Sequence, residues 1–555
     1  MASFLSKEYI TAQPSFNRWL VPPAALAIHL SIGMAYGFSV FWKPLGSALM
    51  GSDGKPLAAC AAGATTFGEK LSGTMRALTA TDCNWTQFDL GWMYTLFFVL
   101  LGCSAALWGG WLERKGPRKA GLVSMLCWCG GLIISAYGVY AHQLWMMWLG
   151  SGVIGGIGLG LGYISPVSTL IKWFPDRRGM ATGMAIMGFG GGAMIGSPLA
   201  TKLMTYFATP GNVGVWQTFA TLAVVYFVFM LCGALGYRVP PVGWKPANWT
   251  PPVTAKNTMI ATKHVHLKNA HKTPQFWLLW IVLCMNVSAG IGIIGAAAPM
   301  LQETFGGALI GQPSMGFADI KVDEILTAKA AAVGAGFVGL ISLFNIFGRI
   351  GWATSSDKLG RKRTYFIFFT LGAILYCTAT YMAGMKSLAL FVASFCVIAS
   401  MYGGGFATIP AYLADMFGTQ FVGAIHGRLL TAWSTAGILG PVVVNYMHDT
   451  RLESGVPFDK IYAPIFVVLA GMLVVGFVAN LLVKPVDDKY FMTDVELEQE
   501  HRLAHEKSMQ NGANTDVTSD VAHHPILVKL AWAAVLIPIS YGIWSTVEKA
   551  WALFS

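Results

Sequence analysis

The chain has 555 residues, 55% of them hydrophobic and only 11% charged, with a mean hydropathy of +0.56. Soluble domains carry about 25% charged residues, so this chain has too few to cover a water-facing surface, and a soluble enzyme or binding module is excluded. The formal net charge of +11 reflects where the basic loops fall and does not require nucleic acid as a partner.

Residues 1–17 are polar, and the first apolar run, from about Leu20 to Leu45, is too long for the core of a cleavable signal. It is expected to be the first spanning helix. Membrane spans need about 20 mostly apolar residues. Twelve stretches qualify in the main body, approximately 20–47, 88–109, 118–140, 144–170, 180–206, 215–237, 275–302, 331–353, 363–384, 388–415, 422–446 and 461–484. A thirteenth, 525–547, follows a polar tail, 485–524. Alternating the loops puts roughly 25 of the 37 Lys and Arg residues on the side of the N-terminus. The positive-inside rule makes that side cytoplasmic, with large outer loops at 49–87 and 303–330. Most of the nine cysteines lie in apolar runs and read as small buried hydrophobes. Cys60 and Cys83 share one outer loop, where a disulfide and two free thiols are both compatible with the sequence. That loop also holds Asn84-Trp-Thr86, a glycosylation sequon in a eukaryote. No Cys/His group has metal-ligand spacing, and no metal or cofactor is expected.

The loop 239–274 divides the body into two six-helix halves, 1–238 and 275–484, with the extra helix in 525–555. The halves repeat one another. Glu113 matches Asp357, Gly116 matches Gly360, Lys119 matches Arg363, Pro166 matches Pro410 and Gly183 matches Gly427, each 244 positions apart, and Pro198 matches Pro441 at 243. A shared spacing across several helices points to two homologous halves.

Gly110-Trp-Leu-Glu113-Arg114-Lys-Gly116-Pro-Arg-Lys119 and its copy ending Asp357-Lys-Leu-Gly360-Arg361-Lys-Arg363 resemble the signature loops of the major facilitator superfamily. The resemblance implies an all-α polytopic fold of two six-helix halves and a gating role for Gly110, Glu113, Arg114, Gly116, Asp357, Gly360 and Arg361. A narrower resemblance covers nearly the whole body. Tyr36-Gly-Phe-Ser-Val-Phe41, Trp173-Phe-Pro-Asp-Arg-Arg-Gly179, Gly188 to Pro198, Gly403-Gly-Gly-Phe-Ala407 and Gly423-Ala-Ile-His-Gly-Arg-Leu-Leu-Thr-Ala-Trp433 are similar to the oxalate:formate antiporter family, which is related to proton-coupled monocarboxylate carriers. The C-terminal helix is similar to the small companion subunit found with some members.

Ionisable residues inside the spans are few, and such residues are usually functional. Arg349 in the eighth span has no acidic residue one turn away, since Asn345 and Ile346 precede it. A buried cation without a carboxylate invites a substrate anion, which a planar guanidinium binds bidentately. The alternative is that Arg349 snorkels to the nearby membrane surface. The resemblance implies the first reading, because the family binds substrate with an arginine in this helix. The oxalate antiporter adds a lysine in the eleventh helix, and here Trp433 stands in its place. One cation suits a monoanion, so formate, lactate or pyruvate is expected over oxalate. The proton-coupled relatives carry an aspartate where Asn345 stands and a lysine near Tyr36. His29 titrates in a useful range and is the candidate for proton coupling, with packing as its alternative. Tyr36, Tyr94, Tyr163 and Tyr402 are candidates to complete a cavity. Helices five and eleven are glycine-rich, which allows close approach, and no phosphate-binding loop follows, so ATP drive is not expected.

The expectation is a secondary active transporter of small organic anions by alternating access, not an enzyme. Oxalate/formate exchange and a non-transporting carboxylate sensor are the alternatives. The expected partners are the anion, the lipid bilayer and a proton or counter-anion. A monomer in a bacterial inner membrane is expected, with its N-terminus cytoplasmic.

Overall fold

The computed structural model describes residues 4–7, 9–13, 16–51, 56–64, 66–241, 244–247, 249, 259–500, 502 and 525–551. Much of the expected polar tail, and part of the central loop, lie outside the described residues. Among the described residues, thirteen helices are long and apolar enough to cross a membrane. They are α1 (Arg18–Leu45), α2 (Gln87–Lys115), α3 (Pro117–Tyr140), α4 (Leu144–Trp173), α5 (Arg178–Phe207), α6 (Val215–Gly236), α7 (Pro274–Ile310), α8 (Ile325–Leu359), α9 (Arg361–Gly384), α10 (Leu388–Phe417), α11 (Val422–Glu453), α12 (Phe458–Leu482) and α13 (Pro525–Glu548).

Local chemistry sets the ends. Thr86 caps α2 in a reciprocal box with Asp89, which satisfies donors that the first turn leaves free. The same helix stops at Gly116, whose φ of 91° is open to glycine and strained for other residues. Pro117 then starts α3 with its φ already set. Gly360 repeats the stop between α8 and α9 with φ 87°. α2 and α8 run further than the hydropathy suggested, so Glu113, Arg114 and Asp357 sit on last helical turns and not in loops.

Several spans are irregular along their length. α1 tightens to a 3-10 helix over Gly33–Phe41, and α4 carries a π-helical stretch over Trp148–Gly155. α11 breaks at Leu430, between Val422–Leu429 and Thr431–Glu453. Non-helical backbone at membrane depth is tolerated where protein surrounds it.

The halves meet where α5 packs on α8 and α2 packs on α11. At these crossings a Cβ on Gly183 would lie 2.7 Å from the Arg349 carbonyl oxygen, and one on Gly427 would lie 2.3 Å from that of Ala105. Glycine is therefore required for the backbones to touch, at two positions related by the internal repeat. α13 lies outside this body against α1, α5 and α8. Trp532 Nε1 donates to the Trp19 carbonyl at 3.1 Å, and Lys202 Nζ donates to the Tyr541 hydroxyl at 2.9 Å. On the face opposite the basic loops, Cys60 and Cys83 form a disulfide.

Candidate functional site

Arg349 is 1% exposed. α8 continues ten residues beyond it to Leu359, so the guanidinium does not snorkel. Nε donates to Asn345 Oδ1 at 3.0 Å, one turn back, and Nη1 donates across the half-to-half interface to the Ile186 carbonyl at 2.9 Å. Nη2 is buried without a hydrogen-bond partner among the described residues. The Tyr36 hydroxyl lies within electrostatic and hydrogen-bonding reach of Arg349. Among the described residues no carboxylate forms an ion pair with it.

Aromatic rings from six helices cluster beside this cation. Its guanidinium carbon lies 5.8 Å from the Phe406 ring centre and 6.0 Å from that of Phe189, within cation–π range. Trp433 of α11 sits at the hub, 4.6 Å from Phe406, 5.2 Å from Tyr163, 5.5 Å from Phe189 and 5.6 Å from Phe98. Tyr36 packs on Phe189 at 4.9 Å, and its hydroxyl meets that of Tyr402 at 3.4 Å. The Trp433 indole N–H and the Tyr163 hydroxyl are buried and have no hydrogen-bond partner among the described residues. Buried donors of this kind normally find partners. Here three of them, Arg349 Nη2, Trp433 Nε1 and Tyr163 OH, belong to one aromatic cluster around a cation.

The fold thus brings Arg349, Asn345, Tyr36, Tyr163, Tyr402 and Trp433 together. Tyr94 stands one ring further out, against Phe98 at 4.8 Å. His29 borders the cluster, 5.3 Å from Tyr163, with Nδ1 on the Ala185 carbonyl and Nε2 on the Tyr163 carbonyl.

A second constellation lies nearer the basic face. Glu113 is paired with Lys172 and accepts hydrogen bonds from Ser168 at 2.9 Å and from the Gly423 amide at 3.1 Å. Asp357 accepts from the Gly179 and Met180 amides at 2.8 and 3.0 Å and pairs with Arg361 at 2.7 Å. Arg361 and Arg178 share Asp415, each at 2.9 Å. Thr182 adds a tie to the Ala407 carbonyl at 2.6 Å. Helix N-termini carry free amides and partial positive charge, which suits these carboxylates. Gly116 and Gly360 serve as the helix stops. Gly110 has no close backbone neighbour beyond its own turn. Arg114 is exposed and forms no ion pair among the described residues.

The family model described as Major Facilitator Superfamily matches residues 57–441 and 288–548. The chain belongs to the major facilitator superfamily. Among curated proteins this facilitator is similar to the oxalate:formate antiporter of Oxalobacter formigenes, 25% identical over 352 residues, 62% of this chain and 73% of that protein. It is 23% identical to YhjX, an uncharacterized MFS-type transporter of Escherichia coli, over 66% of this chain and 80% of that one. Apicoplast pyruvate carrier 1 of Toxoplasma gondii is 24% identical over 61% of this chain and 66% of that one. In solved structures the facilitator superposes on the Escherichia coli fucose:proton symporter with a TM-score of 0.53 and 10% identity, covering 84% of this chain and 99% of that one. Human organic anion transporter MFSD10 gives a TM-score of 0.53 at 15% identity, over 84% and 100%. These structural likenesses carry the fold alone.

Four residues of this facilitator escaped the sequence reading. Asp415, Arg178 and Lys172 sit at helix ends, where charge looks ordinary. His426 stands within the Gly423–Trp433 motif, and the structure buries it fully one turn into α11. The signal available was its place four residues into an apolar run, next to Gly427.

Proposed function

We propose that this protein is a secondary transporter of small organic monoanions such as formate, lactate or pyruvate, with Arg349 as the substrate's counter-ion. The observation that carries this reading is a buried guanidinium with a vacant hydrogen-bonding edge, no acidic partner among the described residues, and a wall of rings. A charge at bilayer depth costs about 2.5–3.5 kcal/mol on insertion scales. A carboxylate arriving on Nη2 offsets that cost and supplies the missing acceptor. Trp433 occupies the place of a second cation, and its bulk and apolar faces favour a single carboxylate over a dianion. The printed names of two relatives, an oxalate:formate antiporter and a pyruvate carrier, agree with a carboxylate class.

The six-helix halves, 1–238 and 275–484, rock about the site. The ties of Glu113, Asp357, Asp415 and Thr182 hold the basic face shut, and they break when that face opens. By the positive-inside rule this face is cytoplasmic, and the protein sits in a bacterial inner membrane as a monomer.

The test is uptake of labelled formate, lactate and pyruvate into proteoliposomes. Loss of two charge-assisted hydrogen bonds, about 1.5–3 kcal/mol each, lowers uptake by roughly 100-fold or more in Arg349→Gln, with the elution profile of folded protein unchanged. Undiminished uptake by Arg349→Gln removes the arginine from the site. Binding of formate without flux in the wild type favours a carboxylate sensor.

A further inference from the structure

α13 follows α12 in the chain, so its covalent connection runs to the C-terminal half. Its polar ties go to the other half. Trp532 Nε1 donates to the Trp19 carbonyl of α1. Lys202 Nζ of α5 donates to the Tyr541 hydroxyl and lies 5.4 Å from the centre of that ring. The remaining side-chain hydrogen bond of α13 among the described residues is internal, from the Thr546 hydroxyl to the Gly542 carbonyl. No hydrogen bond or ion pair joins α13 to the C-terminal half among the described residues.

Apolar packing has the same asymmetry. Val535, Ile539, Gly542 and Thr546 are the buried positions of α13, and their spacing puts them on one edge of the helix. Val535 and Ile539 pack with Leu26, Ala27 and Leu30 of α1, joined by Met187 and Ile195 of α5 and Phe229 of α6. Toward the C-terminal half, α13 meets α8. Ile543 caps a cluster of Met194 from α5 with Leu343 and Ile346 from α8. Further along, a Cβ on Gly339 of α8 would lie 3.1 Å from Thr546 Cγ2. α13 thus lies across the α5–α8 crossing, which is the seam between the halves. Arg349 stands on the inner side of that seam. A Cβ on Gly190 would lie 3.0 Å from Arg349 Nε and 3.2 Å from Ile346 Cγ1, so Ile346 touches the surroundings of both the cation and Ile543.

We propose that α13 is a rail for the rocking motion. It travels with the N-terminal half, and α8 slides along its Ile543–Thr546 edge. The proposal rests on the rocking of the halves described above and names the part that guides it. A hydrogen bond broken in hydrocarbon finds no water to replace it, so the Trp532 and Lys202 ties act as fixed points. Contacts of Ile543 and the Thr546 methyl with α8 have no preferred direction, and one apolar neighbour replaces another at little cost. The same edge keeps lipid out of the seam. A lipid tail there would offer the Arg349 guanidinium no acceptor and would stand in the way of closure.

The experiment crosslinks α13 to each half in turn, in full-length protein in proteoliposomes, from a parent whose seven free cysteines are replaced by alanine. Gly542→Cys with Ile195→Cys ties α13 to α5, since a Cβ on Gly542 would lie 3.1 Å from Ile195 Cγ1. Gly339→Cys with Thr546→Cys ties it to α8 across an equal distance. One readout is exchange of labelled formate. The other needs no substrate: hydrogen exchange of the Gly179 and Met180 amides, which Asp357 holds while the basic face is shut. The α13–α8 disulfide is expected to lower both rates to about a tenth of the parent's or less, and the α13–α5 disulfide to leave both within about twofold. Reductant restores the α13–α8 variant, with the parent treated alongside. Parental rates in both crosslinked variants overturn the proposal, as does loss in both or loss with the α13–α5 disulfide alone. A parent that exchanges no formate overturns the carboxylate reading instead, and the amide rates still decide the rail.

Discussion

Glu113 and Asp357, one in each half, each accept backbone hydrogen bonds from the first turn of a helix in the other half. Glu113 binds the amide of Gly423 in α11, and Asp357 binds those of Gly179 and Met180 in α5. The acceptors are 244 positions apart, and so are Gly179 and Gly423. One sequence repeat therefore produces two reciprocal clasps on the same face.

The clasps are unequal, and this gives a first prediction. Asp357 takes two amides and Arg361, whereas Glu113 takes one amide, Ser168 and Lys172. Hydrogen bonds to a charged group contribute about 1.5–3 kcal/mol each. Asp357→Asn should therefore open the basic face more than Glu113→Gln, by roughly tenfold in population. Maleimide labelling of single cysteines introduced beside Thr182 reads this directly, and equal labelling of the two variants contradicts it.

Gly183 and Gly427 should tolerate no larger side chain. A Cβ at either would lie within 3 Å of a backbone oxygen of the opposite half, and backbone cannot yield as a flexible side chain does. Gly427→Val is expected to hold the basic face open and cut transport by roughly tenfold or more, with larger losses for Gly427→Leu. Normal flux from the valine variant would mean that the α2–α11 contact is not needed for closure.

Arg349→Lys is not a conservative change. Lysine keeps the charge but not the fork that reaches Asn345, the Ile186 carbonyl and a ligand at once. Formate exchange should fall by roughly tenfold, mostly through weaker binding. A variant whose half-saturation matches the wild type would argue that only the charge matters.

Trp433→Lys should supply a second cation beside Arg349. Two charges near a dianion interact by several kcal/mol before desolvation, so the oxalate-to-formate preference is expected to rise by roughly tenfold or more. Competition between labelled formate and unlabelled oxalate measures it. An unchanged preference would show that Trp433 does not face the substrate.

On the face opposite the basic loops, His142 packs on Trp85 at 4.3 Å, and its Nε2 meets the Cys83 carbonyl at 2.9 Å. Burial holds its pKa below the ordinary histidine value of 6.5. A histidine with a depressed folded-state pKa stabilises the fold above the unfolded value and loses that contribution as the pH falls below it. The disulfide-linked loop should loosen as the pH falls below about 6.5, seen as faster hydrogen exchange after correction for intrinsic rates. His142→Gln should flatten that dependence.

Composition alone determined that the chain lives in a bilayer, because 11% charged residues cannot cover a wet surface. The 244-residue repeat determined that it has two halves, and the lone basic residue in an apolar run marked Arg349. Those properties are written along the chain, at periods that hydropathy and motif spacing detect. The partners of the charges are not written there. Whether Arg349 snorkels or is entombed depended on α8 running to Leu359 and on Phe189 and Phe406 arriving from other helices. Asp415 became shared between Arg178 and Arg361, and His426 came to face Tyr163, only when α4, α5, α8, α10 and α11 packed together. A lone charge in a sequence does not declare its counter-ion, because in a membrane the counter-ion comes from whichever helix the fold sets beside it.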